Sequence, residues 1–172
     1  SGIAVDNGLS IQGSAVASLP DGSVSSARTL TLGGVGTPNG SWGSTGSSAT
    51  HRTDQYFLSP RTGIVNISNS SLVNGTWLGG TPGNTSDWNT PGNWYGSLVP
   101  TSSTDVMIPA YTVNQPAIST TTNADCNNLT VALGASLSIQ SSGVTSNGSL
   151  IVHGMSSGNA TYVRYMPNDA VW

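Results

Sequence analysis

Alternating apolar pairs that return at near-constant spacing constrain this chain more than any other feature. Across residues 105–163, Val106 with Ile108 is followed about 23 residues later by Leu129 with Val131, and roughly 21 residues after that by Leu150 with Val152. A second series runs through Val113, Leu137 with Ile139, and Tyr162 or Val163, and a looser third through Ile118 and Val144. Period-two alternation marks half-buried strands. Its return every twenty-odd residues is the signature of a stacked β-solenoid, each coil placing an apolar pair on each wall. The competing arrangement is an antiparallel meander, because the run from Leu129 to Leu137 also suits a hairpin through Gly134.

Composition narrows the class. Only 6% of the 172 residues are charged, there is no Lys and no Glu, and four Arg and seven Asp carry a net charge of −3. Nucleic-acid binding needs clustered cations, and Arg28, Arg52, Arg61 and Arg164 are scattered. No apolar run reaches the length of a membrane span, and no signal-like segment opens at Ser1, so an exported protein would be in its mature form. One Cys, Cys126, excludes an internal disulfide framework and reads as a small buried apolar residue. Without Lys, an internal Lys–Asn isopeptide cannot form, and sheet edges lack their usual charged guard. Self-association follows as an expectation.

Two domains are expected, at residues 1–73 and 74–172. In the first, short candidate strands (3–5, 9–11, 15–17, 28–32, 55–58 and 63–67) alternate with turn chemistry at Asp6-Asn7-Gly8, Pro20-Asp21-Gly22 and Pro38-Asn39-Gly40. That density suits a small β-sandwich-like half, with a long polar loop around Trp42. The alternating run carrying Ile3, Val5, Leu9 and Ile11 reads as an ordinary first strand or as one lent to a neighbouring subunit.

Residues 74–100 differ in character. Trp77, Trp88 and Trp94 fall among Gly79-Gly80, Pro82-Gly83 and Pro91-Gly92, too rich in turn residues for regular strands. A Trp-packed cap over the solenoid mouth is one reading, since a solenoid end must be covered. The functional alternative is a sugar-stacking surface of Trp77, Trp88, Trp94 and Tyr95, with Asp87, Asn84 and Asn93 as hydrogen-bonding groups.

Here the residues carry a resemblance. Gly75-Thr76-Trp77, Asp87-Trp88, Gly92-Asn93-Trp94, Leu98-Val99-Pro100 and Asp105-Val106-Met107-Ile108-Pro109 form its first part. Cys126-Asn127-Asn128-Leu129-Thr130-Val131, Gly134-Ala135-Ser136-Leu137 and Gly148-Ser149-Leu150-Ile151-Val152 continue it. Together they resemble segments of large cell-surface adhesin-like proteins of the Bacteroidota type, exported by the type IX system. Upstream, residues 40–65 resemble a β-sandwich-like repeat of similar proteins. The resemblance implies an extracellular β-rich stalk or adhesin segment without known catalytic residues. It also implies that Trp172 falls mid-motif and that the chain is an excerpt of a longer one.

Catalytic patterns are thin. Gly154-Met155-Ser156-Ser157-Gly158 matches a nucleophile elbow, but an elbow needs a following helix and residues 159–165 read as a strand. His51 and His153 lie on different units, and no metal-ligand spacing such as Cys-x-x-Cys occurs. Asp87, Asn84 and Asp105 would suit an all-oxygen Ca2+ site, although no regular Asp-x-Asp loop supports it. No cofactor is otherwise expected. The chain thus reads as an all-β, non-enzymatic extracellular protein: a sandwich-like half, then a Trp-capped parallel β-solenoid. Its expected partners are further copies or neighbouring domains, with surface glycans as the alternative.

Overall fold

The computed structural model describes residues 4, 5, 7–143 and 145–166, so Ile3, Val144 and Trp172 lie outside the described residues. The protein is nearly all β, 35% strand and 2% helix, with parallel sheets stacked as a solenoid of about seven turns. Two compact units divide it, Ser1–Leu72 and Val73–Trp172.

Among its described residues the first unit holds eight strands: β1 (Ala4–Val5), β2 (Leu9–Ile11), β3 (Val24–Ala27), β4 (Leu30–Leu32), β5 (Val35–Gly36), β6 (Gly40–Gly43), β7 (His51–Arg52) and β8 (Ile64–Ile67). They form two sheets, ordered β1-β3-β8-β6-β7 and β2-β4-β5. Pairings β1–β3, β3–β8, β2–β4 and β6–β7 are parallel; only β6–β8 and β4–β5 are antiparallel. Leu30, Leu32, Val35, Trp42, Tyr56 and Phe57 are fully buried in this unit. The expected strands at 15–17 and 55–58 shrink to one parallel bridge, Ala17 to Phe57. Conversely, the expected loop around Trp42 contains β6 and β7, where the indole stacks on the His51 ring at 4.6 Å. Gly and Ser at three of the four β6 positions hid that strand.

Eight further strands make the second unit: β9 (Val106–Ile108), β10 (Ala117–Ile118), β11 (Asn123–Cys126), β12 (Leu129–Val131), β13 (Leu137–Gln140), β14 (Ser149–Val152), β15 (Ser156–Ser157) and β16 (Ala160–Val163). They sort into three walls, β9-β12-β15, β10-β13-β16 and β11-β14, and every pairing between them is parallel. Strands β12 and β13 fall on different walls, turning at Gly134 with φ 84°, which disposes of the meander. Leu129 stacks on Val106 and Val131 on Ile108, as the spacing predicts.

The third pair does not follow them. Leu150 and Val152 stack on Ala124 and Cys126, on a different wall from Leu129, whose next neighbour up the column is Ser156. The reason is the longer stretch of sequence between the end of β13 at Gln140 and the start of β14 at Ser149, so that Leu129 and Ser156 are 27 residues apart. Val113 is likewise not in its expected series: it is 95% exposed, and Ile118 takes the place opposite Ile139. Tyr162 does sit over Ile139.

One corner recurs in both units. Leu9 N donates to Thr29 O at 2.8 Å, Val106 N to Asn128 O at 2.8 Å, and Leu129 N to Met155 O at 2.9 Å. A return bond accompanies each: Arg28 N to Asn7 O, Asn127 N to Thr104 O, and Gly154 N to Asn127 O. Five tripeptides therefore occupy one geometry: Asn7-Gly8-Leu9, Arg28-Thr29-Leu30, Thr104-Asp105-Val106, Asn127-Asn128-Leu129 and Gly154-Met155-Ser156. Only their last position tends to be apolar, so hydropathy barely marks them.

Candidate functional site

The Trp-rich stretch is an irregular first coil of the second unit. Thr76 bridges Met107 and Asp87 bridges Ala117, both in parallel, so residues 76–94 lie on the first regular rung. Gly75 makes this possible: its φ is 85°, and a Cβ there would strike the Asp105 carbonyl. Trp77, Trp88 and Trp94 are 0%, 0% and 1% exposed and join the core of Val106, Ile108, Ile118 and Leu137. Trp94 is the hub, packed edge-to-face on Trp77 (4.8 Å, 78°) and on Trp88 (4.7 Å, 74°).

Several polar side chains of this coil are used internally, Trp88 Nε1 excepted. Trp77 Nε1 donates to Asn114 O at 2.7 Å and Trp94 Nε1 to Trp88 O at 2.8 Å. Buried Asn93 acts as a peg: its Nδ2 donates to Asn84 O and Asp87 O, and its Oδ1 accepts from Thr81 N. The Asp87 carboxylate accepts from Thr90 Oγ1 at 2.7 Å and Asn89 N at 3.3 Å. The sugar-stacking expectation is corrected here. Trp77, Trp88 and Trp94 present no ring face to solvent, Asp87 is tied into its own turn, and Tyr95 alone is exposed, at 38%.

Asp105 belongs to the recurrent corner. Its Oδ1 accepts from Asn127 Nδ2 and Asn128 Nδ2, both at 2.8 Å, and from Asn128 N at 3.3 Å. Those donors hold its carboxyl below the usual carboxylate range. Asn128 Oδ1 passes the pattern on, accepting from Met155 N at 2.8 Å. A shallow groove of about 390 Å3 opens beside this ladder, lined by Asp105, Met107, Asn128, Thr130 and Met155 among others. As for Ca2+, Asp87 and Asp105 sit on different walls with their carboxylates already engaged. No group of three His, Cys, Asp or Glu is arranged to hold a metal among the described residues.

One contact had no signal in the sequence. His153 Nε2 lies 2.6 Å from Asp125 Oδ1, linking residues 28 apart. The signal would have been the register itself, Cys126 opposite Val152, which brings their neighbours within reach. Cys126 between them is fully buried, and burial, then Asp125 and Asp105, push its thiol up to about 11. The elbow-like Ser156 lies in β15, followed across Gly158 by another strand and no helix.

The first-strand residues are divided. Val5 lies in β1, paired with Ala27, while Leu9 and Ile11 lie in β2, stacked on Leu30 and Leu32, with Ile11 buried. Among the described strands both are the outermost of their sheets, as are β14, β15 and β16 in the second unit.

Residues 76–159 match the model of a domain of unknown function, DUF8693. The matched stretch runs from the bridge at Thr76, through the Trp cage and the corners at 104–106, 127–129 and 154–156, to the turn before β16. No curated protein and no solved structure matches the chain. No helix among the described residues is long and apolar enough to cross a membrane.

Proposed function

We propose that this protein is an extracellular structural or adhesive element of the bacterial cell surface, a stalk segment or self-assembling fibre subunit. The observation that carries the reading is the set of parallel ladders, in which strands β14, β15 and β16 carry no charged residue. All four residues of β16 are exposed, and no Lys or Glu guards any edge. Backbone hydrogen bonding along stacked coils bears load without needing a binding cleft, which suits a mechanical part. A chain with 6% charge that is rich in Ser, Thr and Asn fits the same role. The likeness to type IX-exported surface proteins adds the expected route of export.

Antibody labelling of intact cells of the source, with and without the gene, tests this. Surface labelling, with loss of fibres or of adhesion in the deletion strain, is the expected result; protein confined to the cell interior overturns it. The carbohydrate-binding alternative loses its principal support, since its three indole faces are buried.

A further inference from the structure

We propose that the groove beside the Asp105 corner docks a lysine side chain of a partner protein. The inference goes beyond the structural role above and does not depend on where the protein resides.

Register builds the groove from two rows of side chains. Val106, Leu129 and Ser156 stack in one column of the wall β9-β12-β15, and Val106 and Leu129 turn inward, buried. Strand side chains alternate between faces, so the positions on either side of that column turn outward. Met107, Thr130 and Ser157 form one such row. Asp105, Asn128 and Met155 form the other, where each carboxylate or amide oxygen accepts from the next backbone N–H. Both rows line the groove of about 390 Å3. Its two thioethers supply flexible apolar sides that fit an aliphatic stem.

Charge selects the head group. Asp105 is the ionisable residue among those lining the groove. Its Oδ1 takes all three hydrogen bonds, from Asn127 Nδ2, Asn128 Nδ2 and Asn128 N, and Oδ2 accepts none among the described residues. That pinning orients the carboxylate and keeps it charged at neutral pH. A fixed anion with one open oxygen calls for a cation. Guanidinium favours both carboxylate oxygens in a parallel fork, and one of them is already engaged. Ammonium is a compact point charge that needs only the open oxygen, and the hydroxyls of Thr130 and Ser157 are acceptors for its other N–H groups.

The occupant comes from elsewhere. These 172 residues contain no Lys, so neither they nor a second copy of them can supply it. Their net charge of −3 adds a long-range pull on a basic partner.

The test follows the methionine methyl groups of the full 172-residue chain by NMR at neutral pH as acetyl-Gly-Lys-Gly-amide is added. Met107 and Met155 line the groove, and Met166, which does not, is the internal reference. Saturable shifts at the first two, with Met166 unmoved, are expected, and binding should weaken as NaCl is raised. The same peptide with Nε-acetyl-lysine should give no saturable shift, and the arginine peptide should bind more weakly. Asp105→Asn keeps an oxygen for the corner amides while removing the charge. It should loosen binding about tenfold or more, as loss of a charged hydrogen bond does. Met155→Ser, at an 80% exposed position, should loosen it less, read at Met107. A urea midpoint verifies folding of each variant; should Asp105→Asn not fold, the acetylated peptide still decides. Wild type without saturable shifts overturns the proposal, as does equal binding of the acetylated peptide or unchanged affinity in folded Asp105→Asn. Tighter binding of the arginine peptide, or of a glucosamine oligomer, overturns it as well.

Discussion

Single residues in the Trp cage differ in what their polar atoms do, and stability should register it. Trp88 Nε1 is buried with no hydrogen-bond partner among the described residues, whereas Trp77 Nε1 is satisfied by Asn114 O. An unmade buried hydrogen bond costs about 1–3 kcal/mol. Trp88→Phe removes that penalty along with some packing, so its net destabilisation should be the smaller of the two, below about 1 kcal/mol. Trp77→Phe strands the Asn114 carbonyl as well, and Trp94→Ala, which empties the hub, should cost about 3–5 kcal/mol. Urea unfolding of the three variants ranks them. Asp105 makes a different prediction. Its folded carboxyl titrates below the ordinary value, so its contribution is present above that value and fades as pH falls through the folded one. Below about pH 4 the urea midpoint of wild type should drop. Asp105→Asn should flatten part of that drop, leaving the share of Asp21 and Asp54, which are shifted the same way.

At the scale of strands and corners, glycine decides where a coil can turn. Gly158 joins β15 to β16 with φ 89°, and a Cβ there would collide with the Val131 carbonyl of the coil below. Gly158→Ala should therefore cost about 1–3 kcal/mol, and the strain falls on the last coil. Hydrogen exchange should show the amides of β16 losing protection before those of β12. The same scale explains what the sequence could reveal. Val106, Ile108, Leu129, Val131, Leu137 and Ile139 announce their strands because each needs a dry side and a wet side. β15 is Ser156-Ser157 and β6 is Gly40-Ser41-Trp42-Gly43, so neither carries the alternation, and both exist because neighbouring strands offer hydrogen bonds. Leu150 was misplaced for a related reason. Spacing counts residues, not walls, and the longer connection from β13 to β14 shifts the count while the parallel pairing of β12 with β15 is kept. The cage was legible as packing, since three Trp among paired glycines have few other uses, but burial alone distinguishes a cap from a sugar platform. Asp125 with His153 was invisible because only the register joins them.

For the molecule as a whole, scarcity of charge is the governing property. Among the described residues Arg61 pairs with Asp21, and His153 lies within hydrogen-bond distance of Asp125; all four partners are about half exposed. Exposed pairs contribute little and are screened by salt. The urea midpoint at neutral pH should consequently be nearly flat from low to high NaCl, whereas a fold held by ion networks would weaken; a steep loss of stability with salt would contradict this view of what binds the coils. Cohesion then comes from the buried walls and the backbone ladders, which is also the reason the chain tolerates long Ser- and Thr-rich turns on its surface.

The edge-to-face geometry around Trp94 has an optical consequence. Trp77 and Trp88 each lie within 5 Å of Trp94 at angles near perpendicular, so their strong transitions couple and the native protein should show an exciton couplet in its far-ultraviolet dichroism. Emission from these shielded rings should be blue, moving to the red once the first coil lets water in. The protein thus carries its own reporter dye for the integrity of the solenoid's mouth.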